Sequence, residues 1–281
     1  MKLYYYKHST CLNFGDDLNP WLFSKLLNGM LDDDENELLI GIGTLLNDKI
    51  PCTSKKIIFS SGAGYGTGLP IIDDTWKIYC VRGPLTAKLL KLDNKLAIID
   101  GAVLVKELYK SVTYTKNWKY SFMPHISTAS SGGTLWRKVC EELNFGYIDP
   151  RDETEKIIQD IKSSEVLITE AMHGAIVAET FRVPWVPVVT NNEIFPFKWH
   201  DWCSSIGIEY DPVKLLPLWD TDFDDIYHKA KIGLKMYIAK NKLKQIYRSV
   251  IPVNAKDKVF VNLYNNINSK LYEMIDSCVS K

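Results

Sequence analysis

Short apolar runs alternate with helix-period stretches from the first residues to about residue 190. Residues 3–6 read as a strand. Residues 17–27 read as a helix, because Leu18, Trp21, Leu22, Lys25 and Leu26 recur at the i, i+3, i+4 spacing of one helix face. The next predicted strands are 38–42, 56–60, 77–81 and 96–99. A helix is predicted over 84–92, with Gly83 just before it and Pro84 suited to its first turn. A second series opens near residue 117. Strands at 118–123, 145–148, 166–169 and 185–189 alternate with helices at 133–143, 153–162 and 173–181. Such alternation predicts parallel sheets covered on both faces. Two series predict an α/β chain of two facing Rossmann-like domains, 1–112 and 113–220, with the polar stretch 110–117 as linker. Residues 223–250 and 253–279 are helical in period and rich in lysine, giving a helical tail over 221–281.

The length of 281 residues agrees with roughly two domains at ~150 residues each. Lys plus Arg (34) balances Asp plus Glu (34), which excludes the chain-wide basic field of a nucleic-acid binder. The six cysteines show no C-x-x-C pair and no zinc-ligand spacing, so reduced structural thiols and no metal site are expected. The first residues hold no apolar stretch of signal-peptide length, and no window approaches the ~20 apolar residues of a spanning helix. The expectation is a soluble cytoplasmic protein. Seven basic residues and no acidic one fall between Lys229 and Arg248. This stretch reads either as a solvated helix face or as a peripheral contact with an anionic membrane or a lipid diphosphate. Residues 32–37 read as an exposed acidic loop.

In open α/β sheets, ligands bind beyond the carboxyl ends of the strands. Several chemistry-bearing segments fall there. Gly15, Asp16 and Asp17 follow the first strand, and one aspartate suffices as a helix cap. Gly41 with Gly43, and Gly62 with Gly64, follow two more strands and allow backbone amides to approach an anion or a sugar. Neither segment continues as a P-loop, and the first strand turn lacks G-x-G-x-x-G. Arg82 ends a strand beside a helix start, where two positive potentials converge unless an anion neutralises them. His173 opens a helix, and Glu170 is placed to orient it or raise its pKa for proton donation. His125 ends the strand that opens the second half, and Lys198 follows the last predicted strand. Cations at converging strand exits suit a small, multiply charged anion held between two sheets.

Seven stretches occur in an order that resembles the polysaccharide pyruvyl transferase family, in its exopolysaccharide-type branch. They are Asn13 to Pro20, Gly41 to Leu46, Ser61 to Gly66, Val81 to Ala87, Met123 to His125, Ile148 to Arg151, and Thr169 to Ala175 with Val183 to Trp185. The resemblance implies a fold similar to two-domain glycosyltransferases of the B type. It implies transfer of pyruvate from phosphoenolpyruvate onto two hydroxyls of a sugar, giving a cyclic ketal and phosphate. The partners implied are phosphoenolpyruvate as donor substrate, with no cofactor, and a saccharide acceptor, either free or lipid-linked. By motif position the family's donor-binding cations fall on Arg82, His173 and Lys198, and its early aspartate on Asp16, with Asp17 adjacent. His173 is then the expected general acid, and Asp16 or Asp17 the expected base. Gly83 stands where other members of the family carry aspartate. The competing expectations are a nucleotide-sugar glycosyltransferase on the same plan and a non-catalytic glycan-binding protein.

Overall fold

The computed structural model describes residues 1–8, 10–52, 54–64, 68–109, 115–190, 194–220 and 226–279. Two all-parallel sheets form its frame. The first has the order β1 (Lys2–Tyr4), β2 (Glu37–Ile40), β3 (Lys55–Ser61), β4 (Trp76–Val81). The second runs β6 (Gly146–Tyr147), β5 (Trp118–Met123), β7 (Ser164–Thr169), β8 (Trp185–Val189), β9 (Val213–Lys214). Strand β3 is buried from its second residue to its last, as a strand covered on both faces must be. The helices α1 (Phe14–Leu26), α2 (Pro84–Leu89), α3 (Ile126–Leu143), α4 (Thr154–Lys162), α5 (Met172–Thr180) and α6 (Pro196–Ser205) supply that cover.

Most predicted elements are present, with ends displaced by a few residues. The strand expected at 96–99 is not formed. A 3₁₀ turn occupies Asn94–Leu96, and a single bridge joins Ala97 to Val81. Asp93 accepts a bond from the Lys95 amide and Asp100 one from the Ala102 amide, so two side-chain caps close on the segment and leave too little of it extended for a ladder. A longer 3₁₀ segment, Gly101–Leu108, follows. Helix α3 starts at Ile126, seven residues before the predicted 133, because Gly132 and Gly133 bend the helix and do not begin it. A side chain at Gly132 would run into the Leu218 carbonyl. The predicted linker lies largely at 110–114, outside the described residues, as do 221–225 at the start of the tail.

The tail divides between the two halves. Helix α7 (Ile226–Ser249) packs on α3, burying Ala239, Leu243 and Ile246 beside Phe122 and Trp136. Val253 then pairs with Trp185 on β8. Helix α8 (Asp257–Val279) crosses back to β4 of the first sheet, and its Phe260, Ile267, Leu271 and Met274 join the core that contains Tyr79 and Cys80. No described helix is long and apolar enough to cross a membrane. All six cysteines are free thiols.

Candidate active site

The strand exits of both sheets open on one cleft of about 610 Å³. The first half contributes Tyr4 to His8, Asn13 to Asp16, Gly43 to Leu45, Asn47 and Lys49. The second contributes Met123, His125, Ile126, Pro150, Ala171 to His173 and Lys198. Among the described residues of this lining, three lysines and three histidines face one carboxylate, Asp16. Among the described residues no cluster of His, Cys, Asp and Glu has the grouping of a metal site.

The two adjacent aspartates separate in role. Asn13 is the N-cap position of α1, and the Asp17 carboxylate reaches back to accept a 2.7 Å bond from the Asn13 amide. Asp17 is thus spent on closing the helix start. Asp16 lines the cleft, accepts a 2.6 Å bond from the Asn13 side-chain amide, and lies 3.8 Å from His8. Burial pushes its carboxyl up to about 6, against the pull of His8 and Asn13. Buried Asn19, one helical turn on, bonds both the amide and the carbonyl of Ile42 and so ties α1 to the exit of β2.

His173 is the second residue of α5. Gly15 makes its position possible, since a Cβ there would collide with the imidazole Nδ1. The expected partnership with Glu170 is overturned. Buried Glu170 accepts from the amides of His125 at 3.2 Å and Thr190 at 2.5 Å, and so ties the exit of β5 to that of β8. The carboxylate beside His173 is Asp100, whose Oδ2 lies 3.8 Å from Nε2. Burial, with Lys198 and Arg82 nearby, holds the imidazole down at about 3. The imidazole is therefore neutral at rest. His125 is likewise lowered, to about 4, by burial and Lys198.

Arg82 is fully buried beneath the cleft floor, and its counter-ion belongs to the protein. Its Nε donates to Asp201 at 2.9 Å, and its Nη1 to the hydroxyl of Thr44, which lines the cleft, at 2.7 Å. Asp201 also accepts from the Thr86 amide at 2.9 Å and the Thr86 hydroxyl at 2.6 Å. The convergence of positive potentials read at residues 82–84 is thus answered by a helix of the second half. Lys198 lies one turn before Asp201 on α6, so the latch that holds Arg82 also sets the height of Lys198 in the cleft. Burial and Arg82 lower the Lys198 ammonium to about 8, with Asp16 opposing.

Of the four glycines expected to cradle a ligand, only Gly43 lines the cleft. It has φ +117°, a left-handed value that favours glycine. Gly41 makes room for Phe23, Gly62 for the Arg82 guanidinium, and Gly64 for Phe195 and Phe197. The pattern expected of an anion cradle here serves packing at three positions of four.

Several site residues escaped the sequence reading. Asp100 follows an apolar run and precedes a glycine, a placement by which the other strand-exit residues were chosen. Tyr4 ends the first strand, and Tyr5 to His8 follow it directly. Asp201 carried no such signal, being one carboxylate among the tryptophans of a helix whose period was not read.

The fold and the site together define an α/β protein with a cleft, lined by lysines, histidines and one aspartate among the described residues, between two parallel sheets. Residues 3–192 match the polysaccharide pyruvyl transferase family, and the chain belongs to that family. It is similar to the succinoglycan biosynthesis protein ExoV of Rhizobium meliloti (strain 1021), with 45% identity over 215 residues, covering 75% of this chain and 67% of that protein.

Proposed function

We propose that the protein transfers pyruvate from phosphoenolpyruvate onto two hydroxyls of a saccharide in exopolysaccharide biosynthesis, forming a cyclic ketal and releasing phosphate. The observation that carries this reading is the cleft itself. Lys198, His125 and His173 converge from the second sheet on Asp16 of the first, above a buried guanidinium. A carboxylate and a phosphate on one small molecule suit the positive charge of Lys198 and Arg82 set beside two hydrogen-bonding imidazoles. The facing of two parallel sheets also supports the kinship with B-type glycosyltransferases.

The chemistry needs one proton on the donor's methylene carbon and removal of one from each attacking hydroxyl. Asp16, kept partly protonated by burial, supplies the first. The resulting cationic C2 is attacked by one sugar hydroxyl, whose proton passes to neutral His173. Cleavage of the C2–O bond releases phosphate, which takes the proton held by His173 and whose charge Lys198 offsets. The second hydroxyl then closes the ring and passes its proton to the Asp16 carboxylate, restoring its acid form. Acid and base are therefore exchanged relative to the expectation from sequence, because burial raises a carboxyl and lowers an imidazole.

Helix α7 supports a lipid-linked acceptor met at an anionic membrane surface. Leu234, Tyr237 and Ile238 are exposed along one stripe. At 100° per residue, Lys231, Lys235 and Lys242 flank it on one side, and Lys240 and Lys244 on the other.

Incubation with labelled phosphoenolpyruvate and a panel of glucose- and galactose-terminated oligosaccharides, beside UDP-sugars, tests the function. Saccharide-dependent phosphate release with label retained in the sugar product is expected. Transfer from a UDP-sugar, without use of phosphoenolpyruvate, would overturn the proposal in favour of glycosyl transfer.

A further inference from the structure

Behind the cleft wall lie four buried polar atoms that have no hydrogen-bond partner among the described residues: Ser60 Oγ, Arg82 Nη2, Asp100 Oδ2 and His173 Nε2. Buried polar atoms are nearly always paired, so four exceptions in one place call for an explanation. Two of the four face each other at 3.8 Å, Asp100 Oδ2 and His173 Nε2. The Asp100 carboxylate is anchored at its other oxygen, which accepts from the Ala102 amide at 3.0 Å. It is fully buried, and it caps the 3₁₀ segment Gly101–Leu108, which packs against α5, the helix that carries His173. Gly101 is held close by Ser60, whose hydroxyl occupies the space a side chain there would need. The carboxylate is therefore fixed by backbone, and the imidazole is the movable member. The remaining charges around the ring are Arg82 and Lys198, and Asp16 is the acid of the adjoining cleft wall.

We infer that Asp100 is the positioning residue of His173: its free oxygen accepts a hydrogen bond from Nε2–H and so leaves Nδ1 bare at the Gly15 wall of the cleft. A small ring rotation closes the 3.8 Å gap, as hydrogen bonds in unliganded sites commonly tighten when substrate binds. A neutral imidazole carries one proton on one of two nitrogens, and the partner of the far nitrogen decides which. With the proton held on Nε2, Nδ1 is free to accept a hydroxyl proton from the cleft. The fixed carboxylate then stabilises the imidazolium that forms. This role rests on the proposed use of His173 as base, but the tautomer it dictates is a property of the protein alone.

The test is nitrogen-15 NMR of the full chain with labelled histidine. There are five histidines, so comparison with His173→Gln assigns the ring. The wild type is expected to show His173 as the Nε2–H tautomer. In Asp100→Asn the carbonyl oxygen still accepts from the Ala102 amide, while the new amide group donates to Nε2, so the proton should move to Nδ1. In Asp100→Ala the two tautomers should mix. In phosphoenolpyruvate-dependent turnover, Asp100→Asn should lower kcat at least tenfold with donor KM within about twofold. A wild-type Nδ1–H tautomer, or an Asp100→Asn protein that keeps Nε2–H, would overturn the inference. The wild-type spectrum alone decides the matter if neither variant folds. Absence of pyruvyl transfer in the wild type would instead overturn the functional reading and leave the tautomer result standing.

Discussion

Burial displaces the titration of two carboxyl groups and two imidazoles near the cleft, Asp16 and Asp100 upward and His125 and His173 downward. Asp16 is raised from 3.8 to about 6, first by burial. A raised carboxyl keeps in the folded state a proton that the unfolded chain releases, so folding stability falls as pH rises from about 4 to about 6. Asp16→Asn removes that loss. The variant should therefore match the wild type in stability at pH 4 and exceed it by on the order of 2 kcal/mol above pH 7, while losing turnover. Urea denaturation at the two pH values, set beside kcat, checks both halves. Lys198 behaves in the opposite sense. Its charge, which the proposed use of an anionic donor calls on, is lost as pH rises through about 8. The donor's kcat/KM, which reports the free enzyme, should fall about tenfold per pH unit above that value. Lys198→Arg, charged throughout, should flatten this limb of the pH profile.

Among the elements, α6 decides most about the site although its helical period was not read from the sequence. Its Trp199 and Trp202 bury against Trp185, with ring centroids 6.1 and 5.2 Å from it, and fix the helix to the second sheet. Its Asp201 fixes it to the first half through Arg82 and Thr86. Removing one member of a buried pair leaves an uncompensated charge. Asp201→Ala should therefore cost about 3–5 kcal/mol of folding stability. The double variant Arg82→Met with Asp201→Leu should recover much of this loss in the same denaturation experiment, while pyruvyl transfer stays impaired because Lys198 is no longer held at the same height. Equal destabilisation by the single and double variants would show that the ion pair is not the latch. The strands carry less information of this kind. Their buried apolar runs are legible because a parallel strand covered on both faces has no polar side. The stretch 96–99 failed that reading because local side-chain caps from Asp93 and Asp100 outcompeted a ladder.

On the scale of the whole molecule, the chain crosses between its halves more than once. The cleft lies where both sheets end, α6 returns to the first half from the second, and α8 returns to it again from the tail. The lysine-flanked stripe of α7 lies on the outside of the second half, packed through its opposite face on α3. Vesicles containing phosphatidylglycerol should co-sediment the protein, and phosphatidylcholine vesicles should not. Exchange of Lys231, Lys235, Lys240, Lys242 and Lys244 for glutamine should abolish this co-sedimentation and leave donor use in solution unchanged. Equal binding to both vesicle types would remove the membrane from the account.

The alternation of elements, the parallel character of both sheets, the family and the placement of Asp16, His125, His173 and Lys198 at strand exits were all legible from the order of residues alone. Hydrophobic period and strand-exit position are local properties, and the chain displays them without folding. What only the tertiary structure decided is which charges meet. Glu170 lies three residues from His173 and serves another strand, whereas Asp100, 73 positions away, faces the ring. Arg82 finds its carboxylate 119 positions away. Partner choice and protonation state depend on burial and distance in space, and neither is written in the spacing along the chain.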